Sequence, residues 1–483
     1  MGELVKHIFK NKVIWYVSSR YLTYGIQFLN AMFIAIALGP VYIAVWGFIN
    51  LVLQYIAQLN FGVPYSLNVL LSINKDDKER FQSLLSNSLF LFLILSVFIL
   101  LVFGILYLSN TSMGMKYDFG KYELLVIFIA ILSHFNSLFT NYFRVINKLW
   151  QIIILQSVTP IAMLTAYFFT TGESLLYLIL WFMLAGQIIA LLFFVFGCKL
   201  TFSRLKIDIM KSLLNKGLFL FIYNACFYLI MLSTRTVVSS NYEVMDFGFF
   251  TFSFTLANTI MLLFDSFSFL IYPKTINRFN KGNREENIHI LNLIRTNYIT
   301  PIHLVMYLFL IIFPFIIKLF PQYGGIFKAF GLMAITIIFY SNCFGYSSFL
   351  IANGKERLLS MLAASTLIIN IVIALFISLA LKASYEYVIL ATMIAYMVYN
   401  IELSYFSFRY MGISYSLKHL IKENFPISLF IPYFITLILL LFEVPWYGFV
   451  AVLFIFVALN WKQLVSIKNT LIRIIYNPSI INI

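Results

Sequence analysis

The sequence predicts an all-α polytopic membrane protein of about fourteen transmembrane helices, and three observations carry that expectation. First, 62% of the 483 residues are hydrophobic and only 11% are charged, with a mean hydropathy of +0.93; soluble chains carry about a quarter charged residues. Second, predominantly apolar runs long enough for a helical crossing fill most of the chain. Third, the net charge of +15 is concentrated in alternate short loops between those runs. That placement argues for membrane topology and against a nucleic-acid partner.

The runs fall at 13–38, 42–72, 84–109, 123–146, 150–171, 174–197, 217–240, 247–272, 297–320, 327–352, 357–381, 385–408, 426–443 and 445–464. The first follows Lys6, Lys10 and Lys12 and ends near Ala35-Ile36-Ala37, as a cleavable signal would. It is about twice the length of a signal's apolar region, so it reads as a retained helix. The last two are short and separated only by Glu443-Val444-Pro445, so twelve or thirteen spans remain open. Cys198, Cys226 and Cys343 are scattered, with no metal or disulfide spacing.

With the N-terminus inside, the inner segments hold 26 Lys and Arg. The outer ones hold five: Lys116, Lys121, Lys318, Lys328 and Lys382. Arg20 and Arg235 lie within spans. This bias predicts both termini on the cytoplasmic side. The inner segment 198–216 carries Leu205, Ile209, Leu213 and Leu214 at helical spacing among Lys206, Lys211 and Lys216, which predicts an amphipathic linker helix. It divides an N-terminal lobe (1–197) from a C-terminal lobe (217–408), leaving two further helices and a tail at 409–483. A weak repeat supports the division: LGPVYIAVWGFINLV (38–52) enters the second span as NYEVMDFGFFTFSFT (241–255) enters the eighth. Six spans per half predict parallel, pseudo-symmetric repeats.

Arg20 sets the functional question, because an arginine in hydrocarbon costs roughly 2.5–3.5 kcal/mol on insertion scales. Helical spacing puts Tyr24 and Gln27 on its face. Similar faces carry Asn50, Gln54 and Gln58 on the second span, and His134, Ser137 and Asn141 on the fourth. The seventh offers Asn224, Tyr228 and Arg235, and the eighth Thr251, Thr255, Asn258 and Asp265. Taken singly, an Asn, Gln or Thr reads as interhelical glue, and His134 and His303 read as packed polar residues rather than proton carriers. Five such faces with two arginines read instead as the lining of a polar path. Asp265 and Glu402 are the carboxylates placed to titrate if a proton or sodium gradient drives the cycle. Snorkelling or helix pairing is the plainer account of both.

Enzyme chemistry has little footing. There is no P-loop, no metal-spaced His/Cys/Asp set, and no outer loop large enough for a glycosyltransferase or polymerase site. No cofactor or metal is expected.

Two stretches resemble the polysaccharide-biosynthesis (Wzx-type) oligosaccharide flippases of the multidrug/oligosaccharidyl-lipid/polysaccharide exporter superfamily. LGPVYIAVWGFINLVLQYIAQLNFGVPYSLNVLLSINKDDKE resembles their first signature: a Leu-Gly-Pro turn, a spanning helix, the Asn60-Phe61-Gly62 break, and a charged loop. MLSTRTVVSSNYEVMDFGFFTFSFTLANTIMLLFDSFSFLIYPKTINRFNKG resembles the second, through Phe247-Gly248-Phe249 to Tyr272-Pro273-Lys274. One departure stands out: where members often carry Asp-Arg or Asp-Lys, this chain has Thr234-Arg235.

The resemblance implies two six-helix lobes around a central cavity in a bacterial cytoplasmic (inner) membrane. It implies translocation of an undecaprenyl-diphosphate-linked oligosaccharide from inner to outer leaflet by alternating access. The product would feed capsule, O-antigen or exopolysaccharide assembly, with the polymerase and glycosyltransferases of that pathway as partners. Arg20 and Arg235 would then attract pyrophosphate or acidic sugars, while the Tyr, Asn and Gln faces contact sugar. The alternatives within the superfamily are a lipid II flippase and a drug/cation antiporter; from another class, a membrane polymerase or glycosyltransferase.

Overall fold

The computed structural model describes residues 12–74, 77–108, 114–146, 148–197 and 203–476. The side chains of 12–17, 107, 108, 149, 216, 265–271, 273, 274 and 471–476 lie outside the description. Every secondary-structure element among the described residues is a helix. Among the described residues, eleven helices are long and apolar enough to cross a membrane, or up to thirteen if each of two sharply bent helix pairs is one span.

The first of these, α1 (Lys12–Ala57), is interrupted at Gly39, whose φ of 69° and ψ of 177° lie outside helical geometry. Glycine adopts this backbone without a Cβ penalty, and Pro40 fixes the start of the next arm. The candidate span Ser18–Asn60 has 43 residues, a rise of about 65 Å against roughly 30 Å of hydrocarbon. Each arm by itself has the length of one crossing.

The run expected as one helix over 42–72 is broken. After a 3₁₀ turn at Gln58–Asn60, Phe61 and Gly62 adopt φ of 48° and 75°, and α2 (Val63–Ile73) starts anew. Asn60 stabilises the break by accepting the Gly62 N–H at 2.9 Å. A Cβ at Gly62 would stand 2.7 Å from the Phe221 Cβ and 3.0 Å from the Gly217 carbonyl oxygen. Glycine there permits backbone-to-backbone packing.

α3 (Lys78–Leu108), α4 (Glu123–Val145), α5 (Leu149–Thr165) and α6 (Glu173–Gly197) follow. The linker expected at 198–216 is not a separate element. Residues 198–202 lie outside the described residues, 203–206 are non-helical, and α7 (Ile207–Asn241) runs unbroken into the seventh span. The linker is tied down by side chains of α3: Ser86 accepts the Ser203 N–H at 3.1 Å and Asn87 the Lys206 N–H at 2.9 Å.

α8 (Val244–Lys281) extends past the apolar run into the charged segment, where α9 (Arg284–Ile294) begins with Asn283 accepting the Glu286 N–H. A π-helical turn (Arg295–Ile299) joins α9 to α10 (Thr300–Ile316). Then come α11 (Phe327–Ala352), α12 (Glu356–Leu375), α13 (Ile389–Tyr410), α14 (Leu417–Asn424), α15 (Ile427–Leu441), α16 (Tyr447–Leu459) and α17 (Trp461–Tyr476).

Contacts divide the chain into two units, and the division falls inside α7 rather than at residue 197 or 217. One unit holds Leu22–Ala225 and Glu243–Gly248; the other holds the chain through Tyr21, Cys226–Tyr242 and Phe249–Ile483. Close packing of Gly217 on Gly62 and Ser66 explains why the first half of α7 goes with the first unit. In that unit the two junctions of the sequence repeat meet: Gly248 lies directly against the Pro40 carbonyl. Beside them Phe48 stacks on Tyr117 at 4.6 Å, and Tyr117 meets Phe247 edge-on at 5.5 Å. Burial lowers the Lys116 pKa there, while the Asp246 and Glu243 carboxylates raise it.

Candidate functional site

In the first unit, α1 is anchored by residues that do not belong to its expected polar face. Thr23 Oγ1 lies 2.8 Å from Ser157 Oγ, and Asn30 donates to the Pro160 carbonyl at 2.7 Å. Both are buried. Tyr24 is half-buried, and Gln27, one turn from both Thr23 and Asn30, is exposed.

On the second arm of α1, Asn50 and Gln54 are half-buried and Gln58 lies in the 3₁₀ turn. Asn50 donates to the Trp46 carbonyl at 2.8 Å, as Asn224 does to Leu220 at 2.7 Å and Asn141 to Ser137 at 3.1 Å. An amide that spends one donor on its own helix keeps a second donor and a carbonyl acceptor. Such groups suit hydroxyl-rich ligands. His134 is different: it is 5% exposed, its Nε2 is 3.1 Å from the Ile56 carbonyl, and its ring packs on Phe92. Its geometry is a packing contact between α4 and α1.

The second unit holds Arg20, Tyr228, Arg235, Asn258, Asp265 and Glu402. The sequence assigns one arginine to each half, whereas the contacts put both in one unit. The cause is local: Tyr21 donates to the Leu263 carbonyl at 2.6 Å, holding the start of α1 on α8. Arg20 is half-buried in that turn. Arg235 is only 3% exposed, and its guanidinium lies 4.8 Å from the centre of the Phe254 ring. A cation over an aromatic face gains about 0.5–2 kcal/mol. Asn258 is one turn beyond Phe254 on α8. Tyr228, two turns before Arg235, is 39% exposed.

Thr234 points into a cluster that sequence reasoning did not find. Its Oγ1 is 2.6 Å from Thr392 Oγ1, and Asn370 donates to Thr234, to Ser233 Oγ and to the Ile230 carbonyl. Where the resemblance leads one to expect an acid, a hydroxyl sits among neutral hydrogen-bond partners. No sequence signal predicts it, because the members come from three helices up to 158 positions apart.

Glu402 is half-buried, and its Oε2 is buried with no hydrogen-bond partner among the described residues. The Asp265 side chain lies outside the described residues. His303 is fully buried between the rings of Phe430 and Phe456. A cavity of about 520 Å³ in the first unit, lined by Asp77, Glu79, Arg80, Ser83, Lys206 and Asp208, includes no residue of the polar faces. Its signal lies in the charged segments INKDDKER and LKID. Among the described residues no group of three or more His, Cys, Asp or Glu could hold a metal ion.

No family model and no curated protein matches this chain. Solved structures do. Lipid II flippase MurJ in an inward closed conformation has a TM-score of 0.71 at 15% identity, covering 95% of this chain and 100% of that one. An inward-facing multidrug resistance MATE family transporter of the MOP superfamily has 0.68 at 15%, covering 85% and 99%. An outward-facing MATE transporter has 0.60 at 16%, covering 84% and 94%. The fold is that of this group of membrane transporters.

Proposed function

We propose that the chain is a flippase that moves a lipid-linked oligosaccharide, carried on undecaprenyl diphosphate, from the inner to the outer leaflet of a bacterial cytoplasmic membrane. The termini are cytoplasmic, the cycle is alternating access, and the product supplies capsule, O-antigen or exopolysaccharide. The proposal follows from one observation above others: polar faces built from Arg, Tyr, Asn and Gln, on a fold that MurJ matches over 95% of this chain. A diphosphate cannot cross hydrocarbon unaided, and guanidinium forks supply charge-assisted hydrogen bonds to it. Amide and phenol groups then meet sugar hydroxyls, while the polyprenyl tail stays in lipid. A cation exporter would need carboxylates on these faces. In the first unit, Tyr24, Gln27, Asn50, Gln54, Gln58 and Asn224 offer none.

The direct test loads proteoliposomes with a fluorescent undecaprenyl-diphosphate oligosaccharide and measures its exposure on the opposite leaflet. Transport of this substrate, absent for cationic drugs, is the expected result. Efflux of cations with no movement of the lipid would refute it.

Glu402 and Asp265 are the coupling candidates. If they carry the coupling ion, Glu402→Gln with Asp265→Asn abolishes gradient-driven accumulation while leaving downhill exchange. Gradient dependence that survives in the double variant removes both from that role.

A further inference from the structure

Near its C-terminal end the second unit bends twice. α14 meets α15 at 76°, and α16 meets α17 at 75°. α15 and α16 have 15 and 13 residues, a rise of about 22 and 20 Å against roughly 30 Å of hydrocarbon. Helices that short draw the elements bent off their ends into the boundary between acyl chains and headgroups. The same end of the fold is tied together. Asn460 donates to the Ser428 carbonyl at 2.8 Å, and the π-helical turn packs on α17 while its Arg295 holds Glu423 of α14 at 2.8 Å.

The exposed faces of α14 and α17 share one composition. Apolar side chains stand out from both: Leu417 is 63% exposed, Ile421 44%, Trp461 62% and Val465 40%. Lys418, Lys422, Lys462 and Lys468 are exposed beside them. Across 409–424 and 460–483 the one acid is Glu423, and Arg295 already engages it. Basic side chains flanking a half-exposed apolar stripe, on a helix bent off its span, fit an interfacial helix. Anionic headgroups are the layer with the complementary charge.

We infer that α14 and α17 form a paired in-plane site for anionic phospholipid headgroups, with Leu417, Ile421, Trp461 and Val465 dipping into the acyl boundary. The lysines bind by charge and need no single lipid pose, so the site selects by headgroup charge rather than by headgroup structure. It is independent of what the protein transports.

The full-length protein is placed in vesicles of phosphatidylcholine and phosphatidylglycerol, with one lipid brominated at a time. Trp461 emission is isolated by subtracting the Trp461→Phe variant. Brominated phosphatidylglycerol should quench it at least about threefold more than the same fraction of brominated phosphatidylcholine, since each lysine near the surface adds attraction. Changing Lys418, Lys422, Lys462 and Lys468 together to Gln should equalise the two. Raised salt should do the same in the unchanged protein, which covers a poorly folded variant. Equal quenching at low salt overturns the site, as does a preference that survives both salt and substitution. Neither reading involves transport, so the proposed flippase activity stands or falls separately.

Discussion

Under the proposed function, Arg20→Ala and Arg235→Ala are each expected to lower export of the lipid-linked glycan roughly ten- to hundredfold, the loss of one charge-assisted hydrogen bond of about 1.5–3 kcal/mol. The two should differ in how they fail. Arg20 is half-buried, so under the proposed function its loss should weaken substrate binding and cost less stability than the loss of Arg235. Arg235 is packed on Phe254 and nearly inaccessible. To meet a ligand its guanidinium would have to leave the ring, and its loss also removes the ring contact. Arg235→Ala should therefore lower thermal stability as well, and Phe254→Leu should reproduce the stability loss while retaining more export. Lysine at either position restores charge without the bidentate fork, so rescue should be partial. Surface glycan in a strain lacking the protein, measured with membrane levels alongside, decides the matter. Normal export from both alanine variants at normal levels would refute the cationic mechanism; disappearance of both from the membrane would make the arginines structural.

The second large effect is expected at Gly248. A Cβ there would run into the Pro40 carbonyl, which is backbone and cannot swing aside. Gly248→Val should force the start of α8 away from the Gly39-Pro40 corner and open the Phe48, Tyr117 and Phe247 cluster beside it. Overpacking of this kind costs about 1–3 kcal/mol, a clear fall in the thermal midpoint in detergent. Gly104→Ala is the control for a Cβ added where there is room, since nothing lies within 4 Å of its Cβ position. There the added Cβ should be neutral or raise stability by about 0.4–1 kcal/mol. If Gly248→Val melts with the control, the close approach does not matter to the fold.

Much of the helical layout is legible in the amino-acid sequence. The apolar runs match crossing helices because in hydrocarbon each backbone N–H must find its partner within the segment, a local condition that a local composition satisfies. The corner at Gly39-Pro40 is readable for the same reason, whereas the apolar run over 42–72 carries through Asn60-Phe61-Gly62 and hides the break there. Its parts are nonetheless local: a positive φ at Gly62 and an Asn60 side chain two residues away need only neighbours in sequence.

Tertiary structure decides what each polar residue does. Asn30 and Asn50 are the same residue type on the same helix, yet one is bonded to Pro160 and the other to its own turn. His134 reads as part of a polar face, and a carbonyl 78 positions away makes it a packing contact. The linker has the spacing of an independent amphipathic helix, but Ser86 and Asn87 hold the chain ahead of α7, and Gly217 locks that helix to Gly62. Helical periodicity names the residues that share a face, because that depends on a rotation of about 100° per residue within one helix. It cannot say which neighbour covers the face. That is settled by close packing and hydrogen bonds between segments far apart in the chain, and their geometry exists only once the helices have assembled.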